Sequence, residues 1–241
     1  MVACMLHSTT FISFAKIRNS FLSNLPSFSE SGLDLQSRIL YEDEFLVILN
    51  KPSGLLCQPG LGKGNQDSLI QQAQVLWMDS LIVHRLDRDT SGIIVLARDR
   101  DAHRDLSRQF QERKVKKTYR ALVLGTPVES RGAIVTRIRK AMHVPPRYCV
   151  DSSRGREANT DWSVVTSEQQ YSRIELEPLT GRSHQLRVHM DYLGNPILGD
   201  PLYGTNESQK AFPRLALHAT AISLDHPHTG QRMQWTCSEP F

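Results

Sequence analysis

From Leu40 onward, the apolar residues of the chain fall into short runs separated by charged and turn-forming positions. Phe45 to Leu49 is one such run, closed by Asn50-Lys51-Pro52-Ser53-Gly54, and the pattern predicts a buried strand ending in a turn. A Gly-rich loop, Pro59 to Gly64, leads to Asp67 or Ser68 as the N-cap of a short helix through Leu76. Leu81 to Leu86 predicts a second strand, with Leu81, Val83 and Arg85 on one face and Ile82, His84 and Leu86 on the other. Asp99 caps a helix whose Ala102, Leu106 and Phe110 recur at i, i+4, i+8. Thr118 to Leu124 and Arg173 to Glu177 predict further strands. Thr180-Gly181 opens a helix carrying Leu186, Met190 and Leu193, which Gly194 and Pro196 stop. Arg214 to Leu224 and Gln231 to Thr236 flank a turn at Asp225 to Gly230 and predict a hairpin. Strands and helices are interspersed irregularly, which favours an α+β fold over a doubly wound sheet.

Composition narrows the class without naming a function. At 241 residues with 39% hydrophobic and 22% charged residues, the chain reads as a soluble globular protein that buries a substantial core. Its apolar runs, such as Ile93 to Ala97, fall far short of the roughly 20 residues that a membrane-spanning helix needs. Cys4, Cys57, Cys149 and Cys237 are scattered, with neither metal-ligand spacing nor a small disulfide-dense domain to explain them. They read as reduced thiols in a cytoplasmic compartment. Residues 1–29 lack Asp and Glu and carry six serines with Lys16 and Arg18, a composition shared by organellar transit peptides and by untargeted extensions.

The net charge of +4 is too small to define a partner, but its distribution is uneven. Arg113-Lys114-Val115-Lys116-Lys117 is one basic cluster, and Arg137, Arg139, Lys140, Arg147, Arg154 and Arg156 form a second basic region. Two such regions in the middle third of the chain point to a polyanion.

Two stretches carry candidate chemistry. In His84-Arg85-Leu86-Asp87-Arg88-Asp89-Thr90-Ser91-Gly92, extending the second strand by one residue sets Arg85 beside Asp87. A neighbouring arginine favours the ionised carboxylate, available as nucleophile or base, although strand-end charges of this kind are mostly structural ion pairs. Asp89 to Gly92 reads as a turn in which Asp89 accepts backbone N–H groups. In Thr180 to His189, Gly181, Arg182 and Ser183 at a helix start would offer N–H groups and a cation to a phosphate. His184 and Arg187 would share a helix face, with Asp191 one turn on as an ordinary ion-pair partner for Arg187. The Gly-rich loop does not match a phosphate-binding P-loop, no G-x-S-x-G elbow occurs, and the nine histidines show no metal-site spacing. No metal is expected.

Five ordered segments resemble the RluA-type pseudouridine synthases: YEDEFLVILNKPSGLL, HRLDRDTSGIIVLA, KKTYRALVLG, LTGRSHQLRVHMDYLGNPILGDPLYG and RLALHA, together spanning about residues 40–220. The resemblance implies an α+β pseudouridine synthase fold, with a mixed, mainly antiparallel sheet and two subdomains flanking an active-site cleft. It implies cofactor-free isomerisation of uridine to pseudouridine, with Asp87 at the catalytic aspartate as nucleophile or base. By the same resemblance Tyr119 stacks on the uracil, Arg187 pairs with the aspartate and Arg85 displaces the target base. Leu217 would be an apolar wall of the pocket or a plain core residue, and His84, Thr90, Arg182 and His184 would complete the substrate contacts.

With residues 1–39 as an extension too short for an S4 domain and 40–241 as the catalytic domain, the chain resembles the short branch. That branch acts on structured RNA: tRNA anticodon stem-loops, large-subunit rRNA, or both. A monomer is expected. The reading from a different class is an RNA-binding protein that keeps the scaffold without turnover.

Overall fold

A computed structural model of the chain describes residues 34–60, 67–143 and 145–241. The 1–33 part of the expected extension, and most of the Gly-rich loop, lie outside these described residues. Residues Asp34–Glu239 form one compact unit. Its strands, in chain order, are β1 (Ile39–Glu42), β2 (Leu46–Lys51), β3 (Leu81–Ile82), β4 (Ser91–Ala97), β5 (Lys116–Leu124), β6 (Arg131–His143), β7 (Pro146–Val150), β8 (Arg156–Ser167), β9 (Tyr171–Pro178), β10 (Leu217–Asp225) and β11 (Arg232–Thr236). The helices are α1 (Leu69–Leu76), α2 (Arg100–Gln111), α3 (Gln185–Tyr192) and α4 (Asn206–Lys210). One sheet runs in the order β1-β2-β4-β10-β5-β9-β8-β6-β7, with β3 against β4 and β11 against β10. Only β4 and β10 pair parallel; the other pairings are antiparallel. The two expected subdomains are the two wings of this continuous sheet.

The apolar runs in β2 and β4 do not alternate because both faces of these strands are covered. Val47, Leu49, Ile94 and Leu96 pack with Leu69 and Ala73 of α1 on one face. Leu46, Ile48, Ile93 and Val95 pack with Ala102 and Leu106 of α2 on the other. Asp99 caps α2 as expected, accepting from the N–H groups of Asp101 and Ala102. The β10–β11 hairpin also forms as expected. β6 and β7 went unpredicted because β6 buries only Ile134 and Ile138, so its basic residues leave almost no apolar alternation to detect.

Three local expectations are corrected. The strand expected over Leu81 to Leu86 stops at Ile82. Beyond it, the imidazole Nε2 of His84 accepts the N–H of Val95 at 3.0 Å, so a side chain takes the place of the next strand bond. The chain then leaves the ladder, and Arg85 and Asp87 are not strand neighbours. The turn sits at Asp87 to Thr90, closed by the Thr90 N–H on the Asp87 carbonyl, rather than at Asp89 to Gly92. Asp89 pairs with the Arg88 side chain. α3 starts at Gln185, not at Thr180, because His184 holds φ at 55° and cannot continue a helix backward.

Gly92 marks where the two wings join. Its φ is +108°, and a Cβ there would sit 2.3 Å from the Ala219 carbonyl oxygen of β10. Only glycine permits the parallel pairing of Gly92 with Ala219 at this approach. Gly92→Ala is expected to lower unfolding stability by about 2–4 kcal/mol, read from the midpoint of urea denaturation.

Candidate active site

Asp87 lies in the loop between β3 and β4, and the turn after β2 ties that loop down on both sides. Upstream, the Cys57 thiol bonds the Leu86 carbonyl at 3.2 Å and takes the Leu86 N–H at 3.4 Å. Downstream, Gly54 N–H and Lys51 Nζ both donate to the Arg88 carbonyl at 2.9 Å, and the Ser53 hydroxyl donates to the Asp89 carbonyl at 2.6 Å. Lys51 is fully buried and also donates to the carbonyls of Pro52 and Leu55, each at 2.8 Å, so three backbone oxygens use its three protons. Burial pulls its pKa down to about 8, opposed by the charges of Cys57, Asp89 and Asp87. The segment Lys51 to Cys57 is therefore the bed of the Asp87 loop.

The carboxylate of Asp87 meets Arg187 at 3.3 Å. Arg187 is 2% exposed, and its other nitrogens are fixed by Asp200: Nε to Oδ2 and Nη2 to Oδ1, both at 2.7 Å. Asp200 is itself braced by the N–H groups of Leu202 and Tyr203. Burial acts to lower the pKa of Arg187, but Asp200 and Asp87 outweigh it and raise it. The guanidinium is thus a permanent, oriented cation with one Nη turned to Asp87. Asp191, the surface partner expected one helical turn away, instead accepts the Gly204 N–H.

Tyr119 stands on the same stretch of sheet. In β5 it is opposite Ala219 of β10 and Leu176 of β9, and its ring packs on the cluster that contains Leu86 and Ala219. Burial raises its phenol pKa strongly, and the nearby Asp87 charge raises it further, so the phenol is protonated at neutral pH. Leu217, paired with Ala121, lies two residues from Ala219 and shares that face. His184 approaches from the start of α3, near enough for Asp87 to raise its pKa against the dominant lowering by burial.

The remaining expected site residues are placed differently. Arg85 is exposed and makes no ion pair among the described residues. Arg182 is held away from Asp87 by its Nε bond to the Glu157 carbonyl; burial and the charges of Arg156 and Arg113 lower its pKa. Thr90 is buried and closes the Asp87 turn through its backbone. His84 stacks on Phe110 of α2 at 4.6 Å and serves the β4 edge. Lys51, Cys57, Asp200 and Tyr203 were not singled out by spacing, because Lys51 closes β2 and the other three lie outside helices and strands, so no helical or strand period links them to Asp87 or Arg187. Among the described residues, no three His, Cys, Asp or Glu side chains are grouped to hold a metal ion.

Three histidines are built into the frame around this site. Burial lowers the pKa of His84 to about 3, and of His189 and His218 to about 4, with Lys117 adding to the effect at His84 and Arg214 at His218. His189 lies between the hydroxyls of Thr136 and Thr160, each 2.9 Å away, and His218 Nδ1 lies 2.8 Å from the Ser91 hydroxyl. An unfolded histidine takes up its proton near pH 6.5, whereas these remain neutral until much lower pH. Stability from them is complete above that value and falls as the pH drops toward 4. Urea unfolding is expected to show up to about 1.4 kcal/mol lost per pH unit per histidine across this window.

The comparisons with known proteins agree with this geometry. Residues 45–192 match the family model described as RNA pseudouridylate synthase. The chain is 41% identical over 204 residues to the dual-specificity RNA pseudouridine synthase RluA of Yersinia pestis, covering 84% of this chain and 99% of that protein. The Escherichia coli protein of the same name is also 41% identical, with 84% and 93% covered. Among solved structures, human RNA pseudouridylate synthase domain containing 1 superposes with a TM-score of 0.73 at 30% identity, covering 88% of this chain and 87% of that one. Human RNA pseudouridylate synthase domain containing 4 follows at 0.68 and 30%, covering 86% and 90%. An oriented aspartate–arginine pair beside a half-buried tyrosine is thus set in a matching sequence and a matching fold, and the chain belongs to the RNA pseudouridylate synthase family.

Proposed function

We propose that this chain isomerises specific uridines to pseudouridine in structured RNA, in tRNA anticodon stem-loops, in large-subunit rRNA or in both. The observation that carries the reading is Asp87, partly exposed on a loop pinned at both ends and facing an arginine that Asp200 locks in place. The N1–C1′ bond of the target breaks, the uracil turns, C5 bonds to C1′, the C5 proton leaves and N1 takes up a proton, so no oxidant, reductant or cofactor is consumed. Asp87 acts on the ribose, either as nucleophile at C1′ or as base toward a ribose proton. Arg187 stabilises its negative charge.

Tyr119, as a half-buried phenol, is the surface on which the extruded uracil stacks, and Leu217 lines the same face. Exposed Arg85 supports extrusion of the base, while Arg182 and the basic residues near it meet phosphates. His184 contacts the target nucleotide. His84 and Thr90 act through the strand edge and the turn that they hold. Residues 40–241 serve as the catalytic domain, working as a monomer in the cytoplasm. Supporting that setting, Cys57, Cys149 and Cys237 are free thiols.

The test uses the purified full chain and RNA tritiated at uracil C5. Release of label from tRNA or rRNA is expected; absence of release from both would overturn the reading.

A further inference from the structure

Around His184 the structure holds an arrangement that the chemistry above does not use. Besides Arg113, His184 is the only non-glycine among the described residues with positive φ, a conformation that costs energy and is kept where the surroundings impose it. Its Nδ1 lies 2.9 Å from the hydroxyl of Tyr203, and its ring sits edge-on to Tyr148 of β7 at 5.1 Å and to Tyr203 at 5.7 Å. The same Tyr203 hydroxyl accepts the backbone N–H of Tyr148 at 2.9 Å. The Tyr203 ring also lies beneath two guanidiniums, Arg187 at 5.2 Å and Arg147 at 5.6 Å.

We propose that Tyr203 is a positioning residue that fixes the His184 imidazole as its Nε2–H tautomer, so that one N–H donor is presented to an oxygen of the RNA nucleotide held at Asp87. The inference rests on the function proposed above and follows from counting protons. Tyr203 is 3% exposed, so its hydroxyl finds its hydrogen-bond partners chiefly within the protein. Its oxygen already accepts the Tyr148 N–H, and the acceptor left within reach is His184 Nδ1. Were Nδ1 protonated instead, two N–H groups would converge on the phenol oxygen while its own hydrogen went unused. The hydroxyl therefore donates to Nδ1, and the imidazole proton resides on Nε2.

Nε2 makes no hydrogen bond to another described residue, and the ring is half-buried at the mouth of the site. The groups that face it are Asp87 and Asp89 from the loop, Arg187 from α3, Asp200 and Tyr203 from the turn before α4, and Tyr148 from β7. Burial, opposed by Asp87 and reinforced by Arg187, lowers its pKa and keeps the ring neutral at physiological pH.

The tautomer can be read directly from imidazole nitrogen shifts in isotope-labelled, RNA-free full-length protein near neutral pH. The parent protein is expected to show His184 protonated at Nε2 only. Tyr203→Phe keeps the ring beneath the two arginines but removes the hydroxyl; it should mix the tautomers and raise the pH at which His184 protonates. In tritium release, kcat should fall about tenfold while KM stays within about twofold, the signature of a lost oriented donor rather than lost binding.

His184→Gln keeps a donor amide at the reach of Nε2, whereas His184→Asn suits the positive φ better but lacks that reach. Gln is therefore expected to retain more activity than Asn, and this pair also decides the matter if Tyr203→Phe does not fold. An Nδ1–H tautomer in the parent, an unchanged tautomer and kcat in Tyr203→Phe, or equal losses in the two His184 variants would each overturn the inference. A parent protein that releases no tritium would instead overturn the proposed function, and the tautomer measurement, made without RNA, keeps the two failures apart.

Discussion

Asp87→Asn is expected to lower the rate of uridine isomerisation by at least about 10³-fold while leaving RNA affinity within about threefold. The amide is nearly isosteric, so the turn closed by the Thr90 N–H on the residue 87 carbonyl survives, as do the Lys51 and Cys57 bonds to its neighbours. What disappears is the anion. An amide neither attacks C1′ nor takes a ribose proton, and it leaves one Nη of Arg187 facing a neutral group. RNA affinity, by contrast, rests mainly on cations along the phosphates, and removing a carboxylate takes none of them away. Single-turnover tritium release gives the rate, and filter binding at fixed salt gives the affinity. A variant with near-parental turnover would remove Asp87 from the chemistry; a total loss of binding would mean that the substitution disturbed the loop itself.

The second large effect concerns stability. Arg187→Met is expected to cost about 3–5 kcal/mol, because Asp200 at 1% side-chain exposure would keep its charge with no cation beside it. Repairing the charge does not repair the enzyme. The double variant Arg187→Met with Asp200→Leu replaces both buried charges by apolar groups, and should recover most of the lost stability. It should stay inactive, since Asp87 would face no guanidinium. Urea denaturation of the two single variants and the double variant measures the coupling, and tritium release measures function. Recovery of activity together with stability would show that Arg187 only fills space. Arg187→Lys is expected to fail on both counts, because an ammonium cannot bond both Asp200 oxygens and still reach Asp87.

Arg187 also shows how much of the site the chain makes legible. Its identity stood out within the segment that ends Gln185-Leu186-Arg187, but helical spacing offered Asp191 as its partner. The fold gives it Asp200 and Asp87 instead, one beyond the helix and the other a hundred positions upstream in the chain. His84 shows the converse. The family resemblance implied substrate contact for it, and the structure adds a role that no spacing announced: β4 needed an acceptor for the Val95 N–H where β3 had ended, and the imidazole supplied one.

The pattern of residues along the chain determined the α+β class, the apolar strands β2 and β4, the Asp99-capped helix, the terminal hairpin and the segments that carry Asp87, Tyr119 and Arg187. These are local properties: burial of a continuous apolar run, an N-cap and a turn need only near neighbours in sequence. Only the tertiary structure decided that Lys51 to Cys57 forms the bed of the Asp87 loop, that Asp200 orients Arg187, and that Tyr203 meets His184. Each of these contacts closes a long loop between irregular segments, and no periodicity encodes such a pairing. They form because a buried lysine, a buried ion pair and a buried phenol must each satisfy their protons and charges where water cannot reach.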